Sequence, residues 1–176
     1  MPDFADPWRL CTQGKAFHGS LALADLPRLR PLLAEPDGEV RFDLAFGRDA
    51  QQRAVVSIRV NAVLHLSCQR CMGVVSWPVE SDSRMALVTG PDEAARLPEE
   101  LDPLLLEEPR LALATLVEDE LILAVPVAPM HAVEDCAVDL GEVNAAVEAP
   151  SDEPAPAREN PFAVLAGLHG DDDKRN

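Results

Sequence analysis

The residue pattern predicts an α+β fold: an antiparallel β-sheet or partly closed β-barrel of roughly five strands, with one short and one longer helix. Apolar residues fall at every second position through two long stretches and at helical spacing through a later one. After Val138 the composition changes to acidic and proline-bearing, which sets the end of the chain outside the core. We therefore divide the chain into one core domain over residues 1–140, an acidic Pro-rich disordered linker over 141–159, a short C-terminal helix over 160–170 and a mobile tail over 171–176.

Phe17 to Leu23 alternates loosely, and Asp25 then precedes Leu26-Pro27-Arg28-Leu29 in the manner of an N-cap with proline in the first turn. A strand followed by a short helix to about Leu33 is expected. Pro36-Asp37-Gly38 marks a turn. Val40, Phe42, Leu44 and Phe46 give one strand with a buried face; Val56, Ile58, Val60, Ala62, Leu64 and Leu66 give the clearest strand in the chain. Cys68 to Gly73 is a compact turn, and the run Val74 to Val88 completes a hairpin, with Pro78 pointing to an edge for part of it. Residues 90–103 are acidic and broken by Pro91, Pro98 and Pro103, so they read as a surface loop; Leu104 to Leu106 adds a short strand. Leu113, Leu116, Val117, Leu121 and Ala124 share one helical face, with Glu118, Asp119 and Glu120 assigned to the solvent side, and Pro126 ends this longer helix. Asn160-Pro161 looks like a cap and first turn for an apolar helix carrying Phe162, Val164, Leu165 and Leu168.

The net charge of −16 is unevenly placed. Residues 1–90 hold ten basic and ten acidic side chains, whereas residues 91–176 hold five and twenty-one. Phosphate binding draws its strength from cationic groups, so an acidic half argues against the whole protein clamping RNA and favours a basic protein partner. The more neutral half, with Arg53, Arg59, Arg70 and neighbouring arginines, retains the means to touch RNA locally. The first 25 residues carry Asp3, Asp6, Arg9 and Lys15 and no sustained apolar stretch, and the longest apolar run falls far short of the roughly 20 residues needed to span a bilayer. A cytoplasmic location is expected. In that compartment Cys11, Cys68, Cys71 and Cys136 are better read as free, buried or metal-bound than as disulfides.

Cys68-x-x-Cys71 on a tight turn between strands has the geometry of a zinc knuckle, and His131 and Cys136 supply the soft thiolate and imidazole that complete a Cys3His set for one structural Zn2+. Two other readings stand beside it: a redox pair, disfavoured because the motif opens no helix, and cysteines that simply pack as small hydrophobes, with His131 a surface histidine. Cys11 has no evident partner. The chain has no P-loop, no G-x-S-x-G, no dinucleotide fingerprint and no H-E-x-x-H, and His18 and His65 have no neighbouring nucleophile. No catalytic residue and no small-molecule substrate is assigned.

Three stretches together resemble the YceD family: Leu66 to Cys71; Ala114 to Pro126 running on to His131 and Cys136; and Asn160 to Leu168. They cover the chain from about residue 60 to 170, in the family's order. The resemblance implies a cytosolic protein needed for synthesis, processing or stability of 23S, the large-subunit rRNA, and it supplies no catalytic residue. Combined with the charge distribution, it predicts a non-catalytic ribosome-biogenesis factor working through a basic large-subunit or assembly protein. Its expected contact elements are Glu118, Asp119, Glu120 and the helix bearing Asn160, Pro161, Phe162 and Leu165. The alternatives are direct rRNA binding through Arg53, Arg59 and Arg70, and a CxxC redox or metal-delivery protein.

Overall fold

A computed structural model describes residues 4–106 and 108–138, within the first of two units, Met1–Val138 and Asp139–Asn176. The expected linker, C-terminal helix and tail lie outside the described residues. The elements in order are α1 (Pro7–Gln13), β1 (Ala16–Ala22), 3-10 turns at Leu23–Asp25 and Arg30–Leu32, β2 (Glu39–Arg48), β3 (Ala54–Ser67), β4 (Val74–Val88), α2 (Pro91–Ala94), β5 (Asp102–Leu105), α3 (Leu113–Ala124) and a 3-10 turn at Val133–Asp135.

The strands form one sheet in the order β1-β2-β3-β4-β5. Its first three pairings are antiparallel, as the alternation predicts. The fourth corrects the expectation of an antiparallel sheet: β5 runs parallel to β4, with Asp102 beside Met85 and Leu105 beside Val88. Parallel pairing needs a crossover, and residues 89–101 provide it, so this stretch is more than the surface loop expected. Leu97 and Leu101 close a small second core over Val55 and Ala86, on the face of the sheet opposite the main core. The sheet does not close into a barrel. Its edges, β1 and the four-residue β5, lie at opposite ends of the strand order, and the apolar face is covered by helices instead.

That apolar face is the even-numbered one. Val40, Phe42, Leu44 and Phe46 of β2 and Val56, Ile58, Val60, Ala62, Leu64 and Leu66 of β3 are all buried, together with Leu113, Leu116, Val117 and Leu121 of α3. Pro78 sits where, among the described residues, β4 has no second neighbour, because β5 pairs only with Met85–Val88, an edge setting of the kind proline tolerates. α1 is an element the sequence reading passed over: Asp6 caps it by accepting from Arg9 N–H, Pro7 occupies its first turn, and Gly14, at φ 59°, ends it.

The helix expected at Leu26-Pro27-Arg28-Leu29 is corrected to turns. Pro27 and Pro31 remove two backbone donors, and the N–H groups of Arg28 and Leu29 turn instead to the Glu118 carboxylate, at 2.7 and 3.1 Å. Among the described residues no helix is long and apolar enough to cross a membrane.

Candidate metal centre

The β3–β4 hairpin ends in the knuckle. Cys68 N–H donates to Gly73 C=O at 2.8 Å and Met72 N–H to Cys68 C=O at 2.9 Å, folding the two cysteines toward one point. Met72 takes φ 61°, a left-handed conformation that a side chain adopts at a cost of about 1–2 kcal/mol. The loop after α3 is fastened to this tip from outside: Gln69 N–H donates to Pro129 C=O at 2.9 Å, and the Arg70 guanidinium donates to His131 C=O at 2.6 Å. Those bonds bring His131 and Cys136 to hairpin cysteines that lie at least 60 residues earlier in the sequence.

The ligand atoms of Cys68, Cys71, His131 and Cys136 all lie within 4.8 Å of one another. Cys71 Sγ is 3.4 Å from His131 Nδ1, while His131 Nε2 lies 2.9 Å from Val74 C=O. With Nε2–H donating to that carbonyl, the Nδ1 lone pair faces the sulfurs, the orientation a metal-bound histidine takes from its outer partner. Three sulfurs and one imidazole nitrogen fit tetrahedral zinc, whose ligands stand at about 2.0–2.3 Å from the ion. All four positions would be filled by the chain.

Electrostatics favour the ligating form of two sulfurs. Donation from the Cys71 backbone N–H, reinforced by those of His131 and Arg70, outweighs burial and lowers the Cys68 pKa to about 5. The Gly73 N–H does the same for Cys71, whose value is also lowered. His131 is raised, chiefly by its contact with Cys68. At Cys136 the Val138 N–H acts to lower the value, but burial and the neighbouring Cys71 and Cys68 leave it raised. Cys68 is fully buried, so of the hairpin pair only Cys71 is partly open to a redox partner. Cys11 is a buried thiol donating to Val55 C=O at 3.4 Å, and burial raises its pKa.

The other expected site residues are placed differently. The solvent-facing assignment of Glu118, Asp119 and Glu120 is corrected: Glu118 and Glu120 are only 4% and 5% exposed, and only Asp119 is substantially open, with 42% of its side chain accessible. Glu118 accepts from Arg28 and Leu29 N–H and from the Arg28 guanidinium at 2.9 Å. Burial alone would raise its pKa, yet these donors hold it below the ordinary value. Glu120, on the other flank of α3, accepts from the Ser81 and Ser83 hydroxyls of β4, each at 2.7 Å. These two carboxylates fasten α3 to the fold.

Arg53, Arg59 and Arg70 do not form a patch. Arg53 stands in the β2–β3 turn and pairs with Asp49 at 2.6 Å; Arg59, on the open face of β3, pairs with Asp82 at 2.8 Å; Arg70 is in the knuckle. Arg53 and Arg70 are separated by the length of β3, roughly 40 Å. Asn160, Pro161, Phe162 and Leu165 lie outside the described residues. The sequence reading missed the apolar surface beside the metal centre, where Met72, Val74, Val127, Met130 and Val133 are exposed on the two joined segments. A count of bulky apolar residues at turn and post-helix positions would have found it.

Comparison with known proteins adds a family. Residues 56–169 match the model of the large ribosomal RNA subunit accumulation protein YceD family. The chain is similar to the large ribosomal RNA subunit accumulation protein YceD of Haemophilus influenzae, 32% identical over 169 residues that cover 96% of this chain and 95% of that one. No solved structure matches it.

Proposed function

Since this chain belongs to the YceD family of large ribosomal RNA subunit accumulation proteins, we propose that it is a cytoplasmic, non-catalytic ribosome-biogenesis factor supporting synthesis, processing or stability of 23S rRNA through a basic protein partner. The observation that carries the partner's chemistry is the union of an exposed apolar surface with an acidic segment. From Leu111 to Val138 there are five acidic side chains and no Lys or Arg, and the same segment contributes Val127, Met130 and Val133 to the surface beside the knuckle. A basic, amphipathic element of a large-subunit or assembly protein complements both features. Methionines at 72 and 130 suit such a contact, because their unbranched side chains repack readily. Asp119 and, as a separate element, the segment containing Asn160, Pro161, Phe162 and Leu165 are further candidates for partner contact.

In this reading one zinc ion held by Cys68, Cys71, His131 and Cys136 is structural. It joins the hairpin tip to the loop after α3 and so presents the apolar surface as one rigid piece. The intramolecular pairing of Arg53, Arg59 and Arg70 weighs against direct clamping of rRNA by that trio.

The test is complementation combined with native co-purification. In cells lacking their own family member, the chain restores the ratio of large- to small-subunit rRNA, and a Met72→Asp/Met130→Asp variant with normal zinc content fails to do so. From nuclease-treated lysate the unaltered protein retains a basic large-subunit or assembly protein that the variant loses. Recovery of RNA with no protein partner from a parallel untreated lysate, or full complementation by the variant, overturns the proposal.

A further inference from the structure

At the opposite end of the sheet from the metal centre, α1, the β2–β3 turn and α2 enclose a cleft of about 340 Å³, within the size range of small-ligand pockets. Its charge is unlike that of the chain as a whole. Arg48, Arg53 and Arg96 line it, against a single carboxylate, Glu93. That carboxylate is turned to its own loop, where one oxygen accepts from the Thr89 N–H at 2.9 Å and from the Thr89 hydroxyl at 3.1 Å. Arg53 is oriented by Asp49 through Nε and by Gln51 through one terminal nitrogen, and Arg48 by the Gln52 carbonyl at 2.7 Å. Each guanidinium has five N–H donors, so both keep donors beyond these bonds. Among the described residues no carboxylate lies within salt-bridge distance of Arg48 or Arg96. Arg96 is one of only two basic residues between 91 and 138, set among twelve acidic ones, and it faces this cleft.

The rest of the lining is mainly apolar: Trp8, Ala54, Ala86, Leu87, Val88 and Leu97. Guanidiniums recognise phosphate oxygens through paired N–H donors, and an indole offers a stacking plane to any nucleobase. We propose that this cleft is a binding site for a nucleoside phosphate, the phosphate held by Arg48, Arg53 and Arg96 and the base set against Trp8. The same chemistry is presented by an unpaired nucleotide of RNA and by a free mononucleotide. The site is independent of the partner surface proposed above, being built from α1, the β2–β3 turn and α2.

Titration of purified full-length protein tests it. The chain has two tryptophans, Trp8 and Trp77, so a Trp77→Phe background isolates Trp8 fluorescence; calorimetry supplies a second readout. Adenosine monophosphate, a short single-stranded oligoadenylate and inorganic phosphate are the probes. Saturable quenching by the first two is expected, weakened by about 10- to 100-fold in Arg48→Glu and in Arg96→Glu, whose exposed side chains can be changed without disturbing the core. Trp8→Leu should remove the advantage of both base-bearing probes over inorganic phosphate in calorimetry. Oligonucleotide binding tighter than mononucleotide assigns the site to RNA, and equal affinity assigns it to a free nucleotide. No saturable binding of either base-bearing probe, affinity equal to that of inorganic phosphate, or binding unchanged in an Arg48→Glu/Arg96→Glu double variant overturns the proposal.

Discussion

The two ends of β3 are closed by different chemistry. At one, the β2–β3 turn, Asp49 accepts from the N–H groups of Gln51 and Arg53 at 2.9 and 2.8 Å and from the Arg53 guanidinium, so a single carboxylate within five residues organises the loop. At the other, the knuckle needs His131 and Cys136 from a segment beyond α3. The first closure is local and forms with the turn itself. The second is long-range and joins one end of the hairpin to the end of the described core. A local closure can be lost with little consequence elsewhere, whereas a long-range one fixes where a whole segment lies.

The sharpest way to break this contrast is to take away the zinc that Cys68, Cys71, His131 and Cys136 are proposed to hold. Chelation, or Cys68→Ser with Cys71→Ser, should take zinc from about one per chain to none and lower the melting midpoint by on the order of 10 °C. Hydrogen exchange should show protection lost at Gln69, Met72 and Asp135, with Gln52 and Arg53 still protected; equal loss at both ends would show that the closures are not independent. A core cavity provides the global control. Leu64→Ala removes a fully buried side chain and should destabilise both ends together by about 3–5 kcal/mol in denaturant unfolding.

Next in size is Glu118→Leu, which leaves the Arg28 and Leu29 N–H groups without their acceptor and should cost about 2–3 kcal/mol. Because the donors hold the Glu118 pKa below its ordinary value of 4.5, its contribution is full above that value and is lost as pH falls through the lower value in the fold. The acid limb of a stability profile should therefore flatten in the variant. At the small end, Asp49→Asn keeps one side-chain oxygen for the Gln51 and Arg53 N–H groups but removes the negative charge that the Arg53 guanidinium meets, and should move the melting midpoint by only about 2–5 °C.

These differences follow how much of each closure the sequence discloses. The alternation in Val40–Phe46 and Val56–Leu66 was legible because one face of each strand is buried throughout, and Val74 to Val88 was read with the bounds it has in the fold. Cys68, Cys71, His131 and Cys136 could be grouped by donor chemistry alone. Glu118 and Glu120 were misplaced because periodicity equates polar with solvent. Their partners, Arg28 and Leu29 on one side and Ser81 and Ser83 on the other, lie far away in sequence and leave no local trace. β5 escaped clear definition because four residues including Pro103 carry no alternation, and its parallel direction depends on a crossover that composition does not reveal. α1 was readable in principle from Asp6-Pro7 and Gly14, and with it the position of Trp8.

The 59 residues between Cys71 and His131 also set a clock during synthesis. At about 5–20 residues per second, the two hairpin thiols emerge several seconds before the imidazole and third sulfur that complete their set. In that interval the nascent chain holds half a ligand set, open to oxidation or to transient metal capture. Closure of the centre then marks the moment when translation has delivered every described element of the core.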